Sequence, residues 1–149
     1  EGTIDLSMFD DPRVLQAEIP AANGVTNARA LARLYAATIG EVDGLRLLSD
    51  AQVARATERQ TAGPDAVMFF ETALGLGFFL SSGFSNYGGP RGFGHTGTGG
   101  SMGFADPDAG IGYGYVMNQL MPNMIGDART VALTEACYEA VGGRPPVIV

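Results

Sequence analysis

The chain has no lysine, one histidine and one cysteine among its 149 residues, and each scarcity removes a class of chemistry. Without lysine no P-loop can form, because that motif sets a lysine ammonium on the nucleotide phosphates. The lone Cys137 makes no intrachain disulfide, and thiol usage therefore points to no redox compartment. One histidine and one distant cysteine are not a ligand cluster, so no metal site is expected, and nothing in the sequence calls for a cofactor. Apolar runs fall far short of the ~20 residues of a membrane span. The first residues, Glu1-Gly2-Thr3-Ile4-Asp5, carry neither the basic nor the apolar region of a signal peptide, and no localisation is assigned. Positive charge is scarce too: nine arginines face sixteen acidic residues, and the net charge of −7 argues against nucleic-acid and anionic-membrane partners. Arginine used to the exclusion of lysine, with abundant alanine and glycine, fits a GC-rich genome better than any function.

What is present reads as globular, with 46% hydrophobic and 17% charged residues. The length suits one domain able to bury roughly two-thirds of its unfolded surface. Residues 1–24, with Pro12 and Pro20, read as an irregular connector. A helix is predicted after Thr26 or Asn27 as N-cap, with Leu31, Leu34, Tyr35 and Thr38 as its apolar stripe and Gly40 as its stop. Ser49 and Gln52 form a capping box that opens a second helix ending near Glu58, and Gly63-Pro64 then interrupts the chain. Leu74 to Leu80 reads as a strand, with Phe69 and Phe70 before it ambiguous and 83–90 a loop. Strands follow at Gly92 to Thr96, Ser101 to Asp106 and Ile111 to Asn118, the last two joined by a tight Asp106-to-Gly110 turn. Ile111, Tyr113, Tyr115 and Met117 share one face of the last strand, and Gly112 and Gly114 on the other require close packing there. Asp127 to Val141 is predicted as the last helix, with Leu133, Ala136, Cys137, Ala140 and Val141 buried and Gly142-Gly143 as its end. The fold class is α+β: an antiparallel sheet with flanking helices.

The candidate site is the run Gly92-Phe93-Gly94-His95-Thr96-Gly97-Thr98-Gly99-Gly100-Ser101. A lone histidine is by default a core or turn residue satisfied by hydrogen bonds. Flanking glycines, which let a ligand approach the backbone, favour a site-lining role for His95. Gly92-x-Gly94-x-x-Gly97 spells a dinucleotide fingerprint, but it continues into a strand rather than opening a helix, so that reading is rejected. None of the six serines lies in a Gly-x-Ser-x-Gly elbow, and Ser101 has no activating base near it in sequence. Asp106 and Asp108 read as turn formers.

Several segments in order resemble the C-terminal part of the serine β-lactamase-like hydrolases, which include penicillin-binding proteins, class C β-lactamases and related esterases. Ile19 to Val25 followed by Ala28 to Tyr35 is similar to the family's Pro-Ala-Gly-Gly turn and helix. Leu45 to Ser49 resembles its Leu-Leu-Ser segment, and Gly75 to Phe78 a strand returning to the sheet. His95-Thr96-Gly97 stands where the family has Lys-Thr-Gly. The resemblance implies the C-terminal part of a β-lactamase/transpeptidase-like fold: residues 1–149 as one segment, 1–64 connector and helices, 65–149 strands and a final helix. It implies that His95, Thr96 and Gly97 meet the substrate and that the Thr98 backbone N–H is half of an oxyanion hole. The reaction implied is acyl transfer through an acyl-enzyme on a serine activated by lysine and tyrosine. Ser-x-x-Lys and Tyr-x-Asn or Tyr-x-Ser are missing here, so no nucleophile is assigned in this chain. The N-terminal, nucleophile-bearing part is expected elsewhere, as preceding sequence, another chain or a swapped dimer. Histidine in place of the lysine, which would pair with an antibiotic or peptide carboxylate, favours a small acyl ester over a lactam or peptide substrate. The rival expectation is a noncatalytic module binding a ligand or partner through the same wall.

Overall fold

In the computed structural model, residues 6–82, 85–121 and 127–142 are described. A 3-10 turn at Leu6–Asp10 leads into a short helix α1, Pro12–Gln16, opened by Pro12 at its first turn and by Asp11, whose carboxylate accepts from the Arg13 N–H. The expected irregular connector therefore contains two helical turns; Glu1 to Asp5 lie outside the described residues. Helix α2, Ala28–Ile39, has Asn27 as N-cap, its side chain accepting from the Ala30 N–H, and ends at Gly40. Helix α3, Asp50–Ala56, carries the full Ser49–Gln52 capping box and stops two residues earlier than Glu58.

A six-stranded antiparallel sheet follows in simple sequence order: β1 Thr61–Pro64, β2 Glu71–Leu74, β3 Phe79–Leu80, β4 Phe93–Thr96, β5 Met102–Asp106 and β6 Ile111–Tyr115. Gly63-Pro64 does not interrupt the chain but forms part of β1, an edge strand, where proline costs no ladder bond. The strand expected over Leu74 to Leu80 is two strands folded back through a tight turn, in which Gly77 takes φ +85° and the Gly75 N–H donates to Phe78 O at 2.9 Å. Helix α4, Ala128–Ala140, closes the described chain, with Gly142 past its end at φ +70°; Gly143 lies outside the described residues.

The sheet is sandwiched. On one face Phe93, Ala105, Leu80 and Ala73 pack against Tyr35, Leu31 and Ile39 of α2 and Val53 of α3. On the other, Met102, Phe104, Ile111 and Tyr113 pack with Tyr87 and with Tyr138 of α4, and Phe104 stacks on Tyr113 at 4.8 Å. The glycine expectation holds: α2 runs directly over Gly103, Gly112 and Gly114. A Cβ on Gly114 would lie 2.5 Å from Ala28 O, and one on Gly112 would overlap the backbone of Ala32 and Ala36.

Two burial expectations fail. Of the predicted α2 stripe Tyr35 and Thr38 are buried, but Leu34 is exposed and Ala37 is buried in its stead. On α4 the buried stripe is Thr130, Thr134 and Tyr138; Leu133 and Val141 are 48% and 59% exposed, Ala136 and Ala140 are exposed, and Cys137 is half-buried. Polar anchors orient this helix. The Asp127 carboxylate caps its N-terminus, and the Tyr138 hydroxyl donates to buried Asp106 at 2.5 Å, which turns the i, i+4, i+8 face toward the sheet.

Two outcomes follow. Gly112→Ala destabilises the fold by about 1–3 kcal/mol through overpacking, whereas Gly24→Ala, with no atom within 4 Å, changes it by less than about 0.5 kcal/mol in urea unfolding. Burial also pushes up the phenols of Tyr35 (to about 12), Tyr87, Tyr113 and Tyr138 from their ordinary value of 10.0. Because the folded state favours the neutral phenols, their contribution is complete below pH 10 and is lost as pH rises through the folded values. Thermal unfolding compared at pH 8 and pH 11 should show a marked alkaline loss of stability; equal melting temperatures would contradict it.

Candidate active site

Strand β3 is short. It pairs only with Phe93 and Gly94, while β5 pairs with β4 all the way from Phe93 to Thr96. Beyond Gly94 the β3-side edge of β4 consequently has no paired strand: the Tyr87 phenol meets it at Thr96, and Thr98 beyond is exposed. Gly97 donates its N–H to Ser101 O at 2.7 Å, toward β5, so the alternation of an extended chain turns the backbone groups of Thr96 and Thr98 to the β3 side. Thr98 is exposed, and among the described residues no carbonyl accepts from its N–H.

His95 is exposed, with its ring edge-on to Phe79 at 4.8 Å and 85°. Its Nδ1 lies 2.5 Å from Thr96 O. A carbonyl oxygen only accepts, so Nδ1 carries the proton in this contact and Nε2 is the acceptor of the neutral ring. Gly97 has no room for a side chain, since a Cβ would collide with Ser101 Oγ. Ser101 stands across the hairpin from this run and makes no hydrogen bond to His95.

Two depressions meet at His95 and Thr96. A groove of about 420 Å³ on the α2 side is lined by Leu31, Tyr35, Gly97, Ser101 and Gly103. A smaller pocket of about 80 Å³ on the β3 side is lined by Met68, Phe70, Phe79, Tyr87 and Thr98. A third, on the outer flank of α2 beside Arg29, Arg33 and Leu45, shares no residue with β4.

Sequence reading missed the walls of the smaller pocket. Met68 and Phe70 arrive there on the β1–β2 turn, closed by Asp65. Its carboxylate accepts from the Val67 and Met68 N–H groups at 2.8 and 2.9 Å, bonds that hold the carboxyl below the usual range. Phe69 takes φ +61° at the tip, a rare conformation for an aromatic residue. The only signal was an Asx-type residue four positions before a pair of aromatics. Tyr87 is fully buried behind β4, its phenol bonded to Ser85 and to Thr96.

Asp106 is more than a turn former. One carboxylate oxygen accepts from the Asp108 and Ala109 N–H groups, and the other from the Gly89 N–H at 2.7 Å and the Tyr138 hydroxyl. This buried carboxylate joins the β5–β6 turn, the loop leading into β4 and α4, and so sets the approach of β4 to the site.

Residues 3–137 match the Beta-lactamase family. Esterase/beta-lactamase LipL of Mycobacterium tuberculosis (strain ATCC 25618 / H37Rv) is 42% identical over 120 residues, which span 75% of this chain and 26% of that protein. Among solved structures, a family VIII carboxylesterase superposes with TM-score 0.77 at 38% identity over 86% of this chain and 36% of its own. EstA from Arthrobacter nitroguajacolicus Rue61a superposes with TM-score 0.81 at 30% identity over 91% of this chain and 37% of its own. A penicillin-binding protein homologue from Caulobacter crescentus gives 0.78 at 38% over 87% and 36%. The chain thus spans about a quarter of the curated relative and just over a third of these structures. The match over nearly the whole chain, with the same fold at 30–38% identity, places this chain in the Beta-lactamase family.

Proposed function

We propose that this chain forms the substrate-facing wall of a serine hydrolase that cleaves small acyl esters through an acyl-enzyme. The observation that carries the reading is the end of β4, where the Thr98 N–H, unpaired among the described residues, borders the smaller pocket and the His95 ring borders both cavities. A relative named esterase/beta-lactamase and a structure named a family VIII carboxylesterase support the ester class.

In this reading a serine outside the chain attacks the ester carbonyl carbon, and its proton passes to an adjacent base. The carbonyl oxygen gains negative charge as the C–O double bond opens, and the Thr98 N–H donates to it, paired with the serine's own N–H. Collapse of the tetrahedral species breaks the bond to the leaving alcohol, which takes up the proton. Water then repeats the attack and releases the acid. The absence of a side chain at Gly97 leaves the backbone before Thr98 accessible to the substrate carbonyl. His95, anchored through Nδ1–H, leaves Nε2 as the ring atom free to meet a substrate hydroxyl. Histidine there supplies no permanent cation, which favours an uncharged ester over a carboxylate-bearing lactam or peptide.

The test is turnover of p-nitrophenyl acetate by the full-length protein that contains this chain. Thr98→Pro removes the N–H and is expected to lower kcat about 10²–10³-fold, while Thr98→Ala retains it and stays within about threefold of wild type. Folded full-length protein without turnover, resistant to a serine-directed fluorophosphonate, would overturn the reading in favour of a binding module.

A further inference from the structure

The β4–β5 turn contains two consecutive glycines in the left-handed region, Gly99 at φ +90° and Gly100 at φ +118°. Such a pair has wide conformational freedom, and within the turn a single bond, from the Gly100 N–H to Gly97 O at 3.1 Å, holds the peptide that carries the Thr98 N–H. Two further segments, residues 119–121 and 127–129, add to that constraint. Gly99 O accepts from the Met121 N–H at 3.1 Å and from Arg129 Nη2 at 3.2 Å. Arg129 Nη1 donates to Gln119 O at 2.9 Å. The Asp127 carboxylate, whose side chain is only 6% exposed, grips the other side of the guanidinium, accepting from Nε at 2.9 Å and from Nη2 at 2.5 Å. Leu120 packs on Gly99, and there is no room for a side chain on Gly100 between Asp127 and Arg129.

We propose that Arg129 is a positioning residue for acyl transfer: it clamps the carbonyl of Gly99 so that the neighbouring Thr98 N–H is held toward the β3 side of β4. This rests on the function proposed above. Thr98 lies between two anchored points, the Gly97 N–H on Ser101 O and the Gly99 carbonyl on Arg129 and Met121. An N–H that stabilises a developing oxyanion is effective only if its direction is set before the charge appears, because reorienting it during the reaction costs free energy. The arginine is chosen by geometry. One planar fork bonds a carboxylate and two carbonyls from separate segments at once, which the point charge of a lysine does not reproduce. Arg129 touches neither cavity, so its effect on the reaction passes through the turn.

The experiment uses the full-length protein and p-nitrophenyl acetate, with Arg129→Gln, Arg129→Lys and, as control, Arg91→Gln. Arg91 makes a comparable but exposed ion pair, with Asp108. Expected for Arg129→Gln are a 10- to 100-fold fall in kcat with KM within threefold, and a matching loss of affinity for a phosphonate transition-state analogue. Faster amide deuterium exchange, measured by mass spectrometry, should be confined to peptides covering residues 97–101 and 119–121. Arg129→Lys should regain only part of kcat, and Arg91→Gln should match wild type. Unchanged kcat in Arg129→Gln, or equal falls in thermal stability and in every kinetic parameter, would overturn the positioning role while leaving the esterase reading intact. A wild-type protein without esterase turnover would overturn the esterase reading and the positioning role together.

Discussion

The close approach of α2 to the glycine face of β5 and β6 is the constraint on which the rest of the structure depends. Gly103, Gly112 and Gly114 present bare backbone to the helix, and Ala28, Ala32 and Ala36 are the small residues that meet it. Small residues on both partners let helix and sheet pack at backbone distance, where dispersion contacts are dense. That packing sets Tyr35 and Leu31 against Gly103, the register partner of His95. The wall of the larger groove is therefore a product of core packing rather than of loop conformation, so the site rests on a stiff element.

The opposite face is held differently. Here α4 attaches through polar groups more than through an apolar stripe: the Asp127 cap, the Tyr138 hydroxyl on Asp106, and the Arg129 fork reaching to the β4–β5 turn. The last two ties join segments far apart in sequence: Tyr138 reaches Asp106 at the end of β5, and Arg129 reaches Gly99, three residues past β4. Buried hydrogen-bonded groups of this kind are costly if left unpartnered, which is why they dictate which side of a weakly amphipathic helix faces inward. Leu133 and Val141 are left exposed as a consequence.

Between these two faces, β4 is the strand that both cavities share. The match to the Beta-lactamase family runs through it. The relatives are about two and a half to three times as long as this chain, by the shares of each that align. In the reading developed above the chain contributes a wall, a hydrogen-bond donor and a histidine, and the reacting serine comes from outside it.

Local chemistry was enough to read several elements from the sequence. Asn27, the Ser49–Gln52 box and Gly110 are signals whose partners lie within four residues, so the helix starts and the β5–β6 turn were legible. The alternation of tyrosine with glycine in β6 announced a close neighbour on one face, and the glycine run around His95 announced a site. Contacts between distant segments were not legible. Gly63-Pro64 became a strand only because β2 folds back beside it, and Leu74 to Leu80 became two strands because Gly77 turns the chain. The buried side of α4 depended on Asp106, thirty-two residues from Tyr138, and Arg129 reaches thirty residues back to Gly99. Sequence alone determined the local elements and the His95 strand, because caps, turns and periodicity act over a few residues. Tertiary structure alone decided which faces were buried and how the Thr98 turn was held, because those outcomes depend on buried polar partners brought together from distant parts of the chain.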